Sequence, residues 1–337
     1  EVVDALVSAV SSRNVDLSHR YYAIKARWMG VDQFDWWDRN APLPGDDDRQ
    51  FSWVEAERIV LDAFTKFDPE MAATAQLFFE RNWIDAEPRP GKSSGAFSHP
   101  VTPSVHPYIL MNFAGKSRDV MTLAHEMGHG VHQCLAAANG YLMSDTPLTL
   151  AETASVFAEM LAFRQLVDSA NDAETRRVLL AGKVEDMLNT VVRQIAFHNF
   201  ETAFHSARGD GELMPEEISD IWMDTQREAL GPAVRIGDDY RPIWGYIPHF
   251  VHTPFYVYAY AFGDCLVNAL WQSFQAANTA NMSGDFVKKY KNLLCAGGTE
   301  RYDAALANFG LDARQPTFWT LGLDMISGMI DELEGLD

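Results

Sequence analysis

The chain has 337 residues, and its 27 basic and 47 acidic side chains give a formal net charge of −20 at pH 7. Such an excess of acidic charge would repel phosphate groups, which argues against nucleic acid and anionic membrane surfaces as its main partners. No run of about 18 uncharged apolar residues suggests a membrane span. The three cysteines have no metal-ligand spacing, so we expect buried free thiols and a reducing, cytoplasmic setting.

The beginning of the chain is predicted to be mainly helical. Apolar residues recur at helical spacing in "ALVSAVSSRN" and "LSHRYYAIKARWMG", and Gly30 ends the second run. The Pro, Gly and Asp content of "RNAPLPGDDDRQ" then predicts a loop.

Two further helices are predicted from the signals at their N-termini. Ser52 and Glu55 form a capping-box pattern at the start of "FSWVEAERIVLDAFTKF". Pro69 suits the first turn of a helix in "PEMAATAQLFFERNWID".

The composition changes between residues 87 and 115, where Pro, Gly and Ser are frequent. Short β-type runs at "GAFSH" and "PYILMNF" predict a small sheet directly before a histidine-rich helix. Residues 148–204 are again predicted to be helical, and an aromatic loop then leads into a long apolar helix in "RPIWGYIPHFVHTPFYVYAYAFGDCLVNALWQSF". No clear linker divides the chain, so we predict one α-rich domain over residues 1–337 with a small β element.

The stretch "MTLAHEMGHGVHQCL" carries the strongest chemical signal. On a helix, His125 and His129 lie one turn and about 40° apart, so both imidazoles can reach one Zn²⁺ ion. Glu126 lies about 100° round from His125, beside such an ion, where a carboxylate can deprotonate a water molecule. The alternative is a helix whose histidines only pack in the core. Because this helix carries little charge to face solvent and matches the His-Glu-x-x-His pattern, we predict a metal site.

Two histidines leave a catalytic zinc site one protein ligand short. His132 lies on the same helix face, but on a straight helix it is about 10 Å along the axis from His125. The extended motif with a third histidine would need one ten residues after His125, where this sequence has Leu135. A carboxylate from elsewhere in the chain is the other candidate.

Glu152 is the carboxylate that stands out. It falls in "TPLTLAETASVFAEMLAF", a predicted helix with Thr146 as its cap and Pro147 as its first residue. One interpretation is a capping box between Thr149 and Glu152. The other is that Glu152 faces inward in an apolar stripe, where an unpaired carboxylate is costly and a zinc ion would pair it. Glu159, seven residues on, could then hydrogen-bond a ligand histidine.

At this point the sequence resembles the oligoendopeptidase F group of zinc metallopeptidases, related more distantly to thimet-type oligopeptidases. The matching segments are "HEMGH", "LAETAS", "GAFSHP", "HPYILMNF", "DVMTLA", "YYAIKARWMG", "RNAPL", "PEMA" and "IPHFVHTPFYVYAYAFG". The resemblance implies one Zn²⁺ per chain, bound by His125, His129 and Glu152, with Glu126 as the catalytic base. It also implies a mainly α fold: a large helical domain with a small β-sheet near the zinc helix and a deep channel that restricts substrates to oligopeptides.

Members of this group extend further at the N-terminus. The present chain opens with Glu1 rather than Met. We therefore expect it to be the C-terminal, catalytic part of a longer protein, without an N-terminal lobe that walls the channel.

The resemblance also points to an aromatic segment, "PHFVHTPFYVYAY". In the family, a loop with His and Tyr residues faces the zinc and assists the transition state. His249 and Tyr256 match best, as donors to the oxyanion of the tetrahedral intermediate. His252 departs from the family, which more often has an aromatic residue there. Aromatic packing is an equal alternative for each tyrosine, and Tyr258 and Tyr260 stay open as candidates.

The sequence thus predicts a zinc endopeptidase that cleaves oligopeptides, with "HPYILMNF" pairing with the substrate backbone as an added strand. A zinc carboxypeptidase or dipeptidyl carboxypeptidase is an alternative, and it would need a basic clamp such as Lys92, Lys116 or Arg118 for the substrate carboxylate. A non-catalytic peptide-binding scaffold is a second alternative, but it would have no need of Glu126. We expect oligopeptides as partners, and neither nucleic acid nor membrane.

Overall fold

The computed structural model describes residues 1–43 and 49–336, which form fourteen α-helices and five short β-strands. The mainly α fold predicted from the helical spacing of apolar residues is therefore confirmed. Part of the predicted loop "RNAPLPGDDDRQ", residues 44–48, lies outside the described residues. Within the described chain, no helix has the length and apolarity needed to cross a bilayer.

The region predicted as one domain groups into two compact units. Unit 1 comprises Glu1–Asp46, Ala173–Ala269 and Ala313–Asp337, and unit 2 comprises Asp47–Asp172 and Leu270–Asp312. The chain passes from unit 1 to unit 2 inside helix α11, Tyr258–Thr279.

Unit 1 is built from helices and one pair of very short strands. The helices that lie wholly in it are α1 Val2–Ser11, α2 Arg20–Trp28, α7 Ala173–Thr190, α8 Val192–Gly209, α9 Pro215–Leu230, α10 His249–His252 and α14 Pro316–Glu334. Strand β1, Phe34–Asp35, pairs in parallel with strand β5, Val234–Arg235. The buried rings of Phe197, Phe200 and Trp222 form an apolar core between α8 and α9.

Unit 2 contains a second set of helices around a small sheet. The helices are α3 Trp53–Phe67, α4 Pro69–Glu80, α5 Ser117–Ala136, α6 Thr153–Asp168, α12 Ser283–Ala296 and α13 Tyr302–Ala307. Helix α5 packs against α3, α4, α6 and α12, so most of its surface is covered. Phe157 of α6 contacts the rings of Phe67 and Tyr290 in the core of this unit.

The N-terminal signals of α3 and α4 act as predicted. The Ser52 hydroxyl accepts a hydrogen bond from the Glu55 N–H at 3.2 Å, and the Glu55 carboxylate accepts one from the Ser52 N–H at 2.8 Å. Pro69 is the first residue of α4, and Asp68 caps it by accepting from the Met71 N–H at 2.8 Å. These contacts satisfy backbone donors that no helical carbonyl can reach.

The sheet of unit 2 has the order β2-β4-β3, from Ile84–Asp85, Tyr108–Leu110 and Phe97–His99. Strands β3 and β4 confirm the two predicted β-type runs, but β2 was predicted to be helix and that prediction is wrong. Helix α4 ends at Glu80, and the Trp83 carbonyl instead accepts the Ile109 N–H at 2.9 Å. The prediction that "HPYILMNF" pairs with substrate is also wrong, because β4 is central and has a strand on each side.

Candidate metal centre

Helix α5 carries His125 and His129 one turn apart, as their spacing predicts. Its apolar side is buried at Val120, Leu123 and Met127, which fixes the rotation of the helix within unit 2. The two imidazole rings lie with their centroids 5.0 Å apart. Both therefore face the same space beside the helix.

Glu152 comes to these histidines from the start of α6. Its Oε2 atom lies 3.4 Å from His125 Nε2 and 3.4 Å from His129 Nε2. The helix begins at Thr153 rather than at the predicted Pro147, so Glu152 is the N-cap residue and no Thr149–Glu152 capping box forms. The predicted burial of Glu152 is also wrong, because its side chain is 48% exposed at the helix end.

The three residues, which we call the metal cluster, fit a zinc ion. Ligands 2.0–2.1 Å from a tetrahedral zinc lie about 3.3 Å apart, close to the two 3.4 Å separations between Glu152 and the histidines. One ligand atom from each residue can be chosen so that all lie within 4.8 Å of one another. Two histidines with one carboxylate form a ligand set used by catalytic zinc sites.

Gly128, between the two histidines, lets α6 approach α5 closely. A Cβ atom at this position would lie 2.4 Å from the Ala154 carbonyl oxygen and 2.7 Å from the Ser155 Cα atom. Any larger residue would therefore push the first turn of α6, and Glu152 with it, away from the histidines. This role was not predicted, because the sequence alone does not show which helix packs on Gly128.

Glu159 lies behind His125, as predicted for a residue that orients a ligand. Its Oε2 atom is 3.1 Å from His125 Nδ1, so Nδ1–H can donate to the carboxylate and leave Nε2 free for a metal. Burial lowers the pKa of His125, but hydrogen bonds to Glu152 and Glu159 outweigh it and raise that pKa to about 10. Partial desolvation raises the pKa of the half-exposed Glu152, but its contacts with His125 and His129 outweigh this effect and hold that pKa well below the usual range.

Glu126 is buried beside the metal cluster, with 6% of its surface exposed. Burial raises its pKa, and the positive charge of His125 and His129, when protonated, acts in the opposite direction. Its Oε2 atom has no hydrogen-bond partner among the described residues. A buried carboxylate oxygen without a partner is costly, and it is suited to receive a proton from a reactant.

His132 lies outside the metal cluster. It is 3% exposed, and its Nε2 atom is 3.2 Å from the Thr146 hydroxyl. Burial lowers its pKa to about 4. His132 therefore connects α5 to the loop that precedes Glu152.

A cleft of about 1010 Å³ opens onto the metal cluster within unit 2. Strand β3 contributes Phe97 and Ser98 to its wall, so β3 rather than β4 borders it. The Ser98 carbonyl accepts from Gln133 Nε2 at 3.2 Å, which attaches β3 to α5. Among the described residues that line the cleft, none is Lys or Arg.

The predicted aromatic residues lie in unit 1. His249 Nε2 is 3.1 Å from the Tyr260 hydroxyl, and the Tyr256 ring lies parallel to the His249 ring at a centroid distance of 6.2 Å. We call His249, Tyr256 and Tyr260 the aromatic cluster. The other two candidates lie apart from it: Tyr258 contacts the His198 ring, and His252 is exposed.

The helical fold and the metal cluster with its adjacent glutamate form an arrangement typical of metallopeptidases. Residues 1–325 match Peptidase family M3, and the chain belongs to this family. It is 29% identical to oligopeptidase PepF of Bacillus subtilis over all of the chain and 49% of that protein. It is 28% identical to an oligoendopeptidase F homolog of Lactococcus lactis over all of the chain and 55% of that protein.

The same fold is found in the crystal structure of oligoendopeptidase-F from Enterococcus faecium. The TM-score is 0.72 at 24% identity, covering 99% of this chain and 52% of that one. The chain thus spans about half the length of the curated relatives it matches.

Proposed function

We propose that this chain is the catalytic part of a zinc endopeptidase that hydrolyses internal bonds of oligopeptides. The observation that carries the proposal is the convergence of His125, His129 and Glu152 at zinc-like separations, with the buried Glu126 beside them. Membership of Peptidase family M3 and the names of the relatives, an oligopeptidase and an oligoendopeptidase F, support the same activity.

The metal cluster would hold one Zn²⁺ ion. Zinc bound in such a site polarises the scissile carbonyl and lowers the pKa of a water molecule towards 7. Glu159 would accept the Nδ1–H of His125, which would leave Nε2 as the atom of His125 that binds the metal. Ser155 donates to the Glu152 carboxylate at 2.6 Å and limits its rotation.

Glu126 is proposed as the general base. Its raised pKa makes it a stronger base than an exposed carboxylate, and its Oε2 atom has no competing partner among the described residues. It takes a proton from the attacking water and passes it to the leaving amine.

His249 and Tyr256 are proposed as donors to the oxyanion that forms on the scissile carbonyl. A neutral Tyr hydroxyl and an imidazole N–H can both stabilise that negative charge. The support is the family resemblance of their segment and the geometry of the aromatic cluster, in which Tyr260 hydrogen-bonds His249 and restrains its ring.

The wall of the cleft favours an endopeptidase over a carboxypeptidase. A carboxypeptidase of this kind needs a Lys or Arg clamp for the substrate's terminal carboxylate, and none of the described residues that line the cleft in unit 2 is Lys or Arg. Lys92 instead pairs with Asp85 at 3.0 Å, and Lys116 is the N-cap residue of α5. Glu126 in turn disfavours a scaffold that only binds peptides, because binding does not require a base.

A cytoplasmic location is also proposed. Its support is the presence of three cysteines that are all free thiols. Cys265 is buried as predicted, whereas Cys134 is only partly buried and Cys295 is exposed.

The test is a defined oligopeptide mixture incubated with the zinc-loaded chain and with Glu126→Gln, followed by mass spectrometry of the products. The wild-type chain should cut internal bonds. Glu126→Gln should lose about 10²–10⁴-fold or more in rate, because its base is gone, while retaining near-stoichiometric zinc by elemental analysis. Stepwise loss of C-terminal residues would identify a carboxypeptidase. No cleavage by the wild type would identify a scaffold, and an active Glu126→Gln would refute the base assignment.

A further inference from the structure

The backbone before Tyr256 has an unusual conformation. Phe255 has φ +59°, in the left-handed region that side chains with a Cβ atom seldom adopt. Phe255 is 44% exposed and is not among the buried residues of the apolar core that could force this conformation. Another contact must therefore hold the bend.

Glu201 of α8 supplies that contact. Its Oε1 atom accepts a hydrogen bond from the Phe255 N–H at 2.7 Å, although the two residues are 54 positions apart. One turn further along α8, the His205 ring lies 4.8 Å from the Phe255 ring. Helix α8 thus holds Phe255 by its backbone and by its side chain.

The rest of the Glu201 carboxylate makes no comparable contact. Glu201 is 1% exposed, and its Oε2 atom has no hydrogen-bond partner among the described residues. A buried carboxylate with one oxygen unpaired is unfavourable, and an apolar side chain of similar length would fill the same space without that cost. The contact that accounts for a carboxylate at this position is therefore the hydrogen bond that Glu201 accepts from the Phe255 N–H.

That bend determines where the aromatic cluster lies. Tyr256 follows Phe255 directly, its ring is parallel to that of His249, and it contacts the Tyr260 ring at 5.5 Å. A change of backbone conformation at Phe255 would turn Tyr256 away from both partners.

We infer that Glu201 is a positioning residue: by fixing the bend at Phe255 it orients Tyr256 and His249 for the reaction. This inference rests on the proposed function, in which these two residues act on the oxyanion. Because a donor displaced by about 1 Å can cost about 10²-fold in rate, losing the bond should affect turnover more than substrate binding.

The test compares Glu201→Leu with Glu201→Gln in the zinc-loaded chain, using a synthetic oligopeptide that the wild type cleaves. Glu201→Leu removes the acceptor and should lower kcat by up to about 100-fold with little change in KM. Glu201→Gln keeps an acceptor oxygen for the Phe255 N–H and should retain most of the activity. A Glu201→Leu variant with wild-type kcat, or one changed only in KM, would overturn the inference.

A rescue experiment separates positioning from general destabilisation. Glycine adopts positive φ without a steric penalty, so Phe255→Gly should restore part of the lost kcat in the Glu201→Leu background. Failure of that rescue in a folded double variant would show that the bend is not what Glu201 controls. If Glu201→Leu does not fold, the kcat of the folded Glu201→Gln variant is the test. Retained activity agrees with the inference, and a large loss of kcat contradicts it.

His249→Ala and Tyr256→Phe, measured beside them, separate this inference from the function on which it rests. Each should lose about 10²–10³-fold in kcat. If both do so while Glu201→Leu remains fully active, only the positioning role is wrong. If neither loses activity, the oxyanion role fails and the inference fails with it, while the Glu126 experiment still judges the peptidase activity.

Discussion

The metal cluster and the aromatic cluster are held in place by different means. The metal cluster joins two long helices that touch at Gly128, so its ligands lie on rigid elements. The aromatic cluster spans the bend at Phe255, whose N–H donates a hydrogen bond to the distant Glu201 carboxylate. Groups on packed helices keep their geometry through many contacts, whereas groups beside a loop depend on a few. We therefore expect single substitutions away from the reacting groups to disturb the aromatic cluster more than the metal cluster.

The largest expected effect tests the composition of the metal cluster. Glu152→Ala should weaken zinc binding by well over about 100-fold, since even residues that only orient a ligand contribute 10–100-fold. His132→Ala is the matched control, and it should keep near-stoichiometric zinc because its ring bonds Thr146 rather than the ligand group. Zinc affinity is measured by competition with a chelator. If His132→Ala lost zinc and Glu152→Ala kept it, the ligand set would have to be redrawn.

The second prediction concerns the buried His132 next to the metal cluster and its effect on how stability depends on pH. Its pKa is lowered by burial from 6.5 to about 4. Between these values the unfolded chain binds a proton that the folded chain does not, so stability is complete above pH 6.5 and falls towards pH 4. This difference corresponds to about 3 kcal/mol in the free energy of unfolding.

Denaturant unfolding of the zinc-free chain between pH 4 and 7.5 measures this contribution, with His132→Gln as the comparison. Glutamine does not titrate and can still hydrogen-bond Thr146, so its stability should fall less steeply with acid. Parallel pH profiles for the two proteins would show that His132 is accessible to protons in the folded state.

The smallest expected effect concerns the contact between the two helices. Gly128→Ala should displace the first turn of α6 and weaken zinc binding by roughly 10–100-fold, the size associated with residues that orient metal ligands. Gly182→Ala in α7 is the control. No atom of the described residues lies within 4 Å of its added Cβ, so this substitution should raise stability by about 0.4–1 kcal/mol. Unchanged zinc affinity in Gly128→Ala would mean that α6 can shift without moving Glu152.

The local features of the chain were predictable from the sequence. The capping box at Ser52, the start of α4 at Pro69 and the spacing of His125 and His129 on α5 are as predicted. Each of these features depends on interactions between residues within one helical turn of each other, so the local sequence is enough to predict it.

What the sequence by itself determined is therefore the helical architecture and the metallopeptidase motif on α5. The tertiary structure alone decided that β4 is a central strand, that Glu152 is exposed at the start of α6, and that Glu201 holds the bend at Phe255. The strand pairings depend on the register of three short runs, and Glu152 depends on where α6 begins against α5. The Glu201 bond joins residues 54 positions apart. Such contacts form only when distant segments pack together, so neither helical periodicity nor capping patterns could have revealed them.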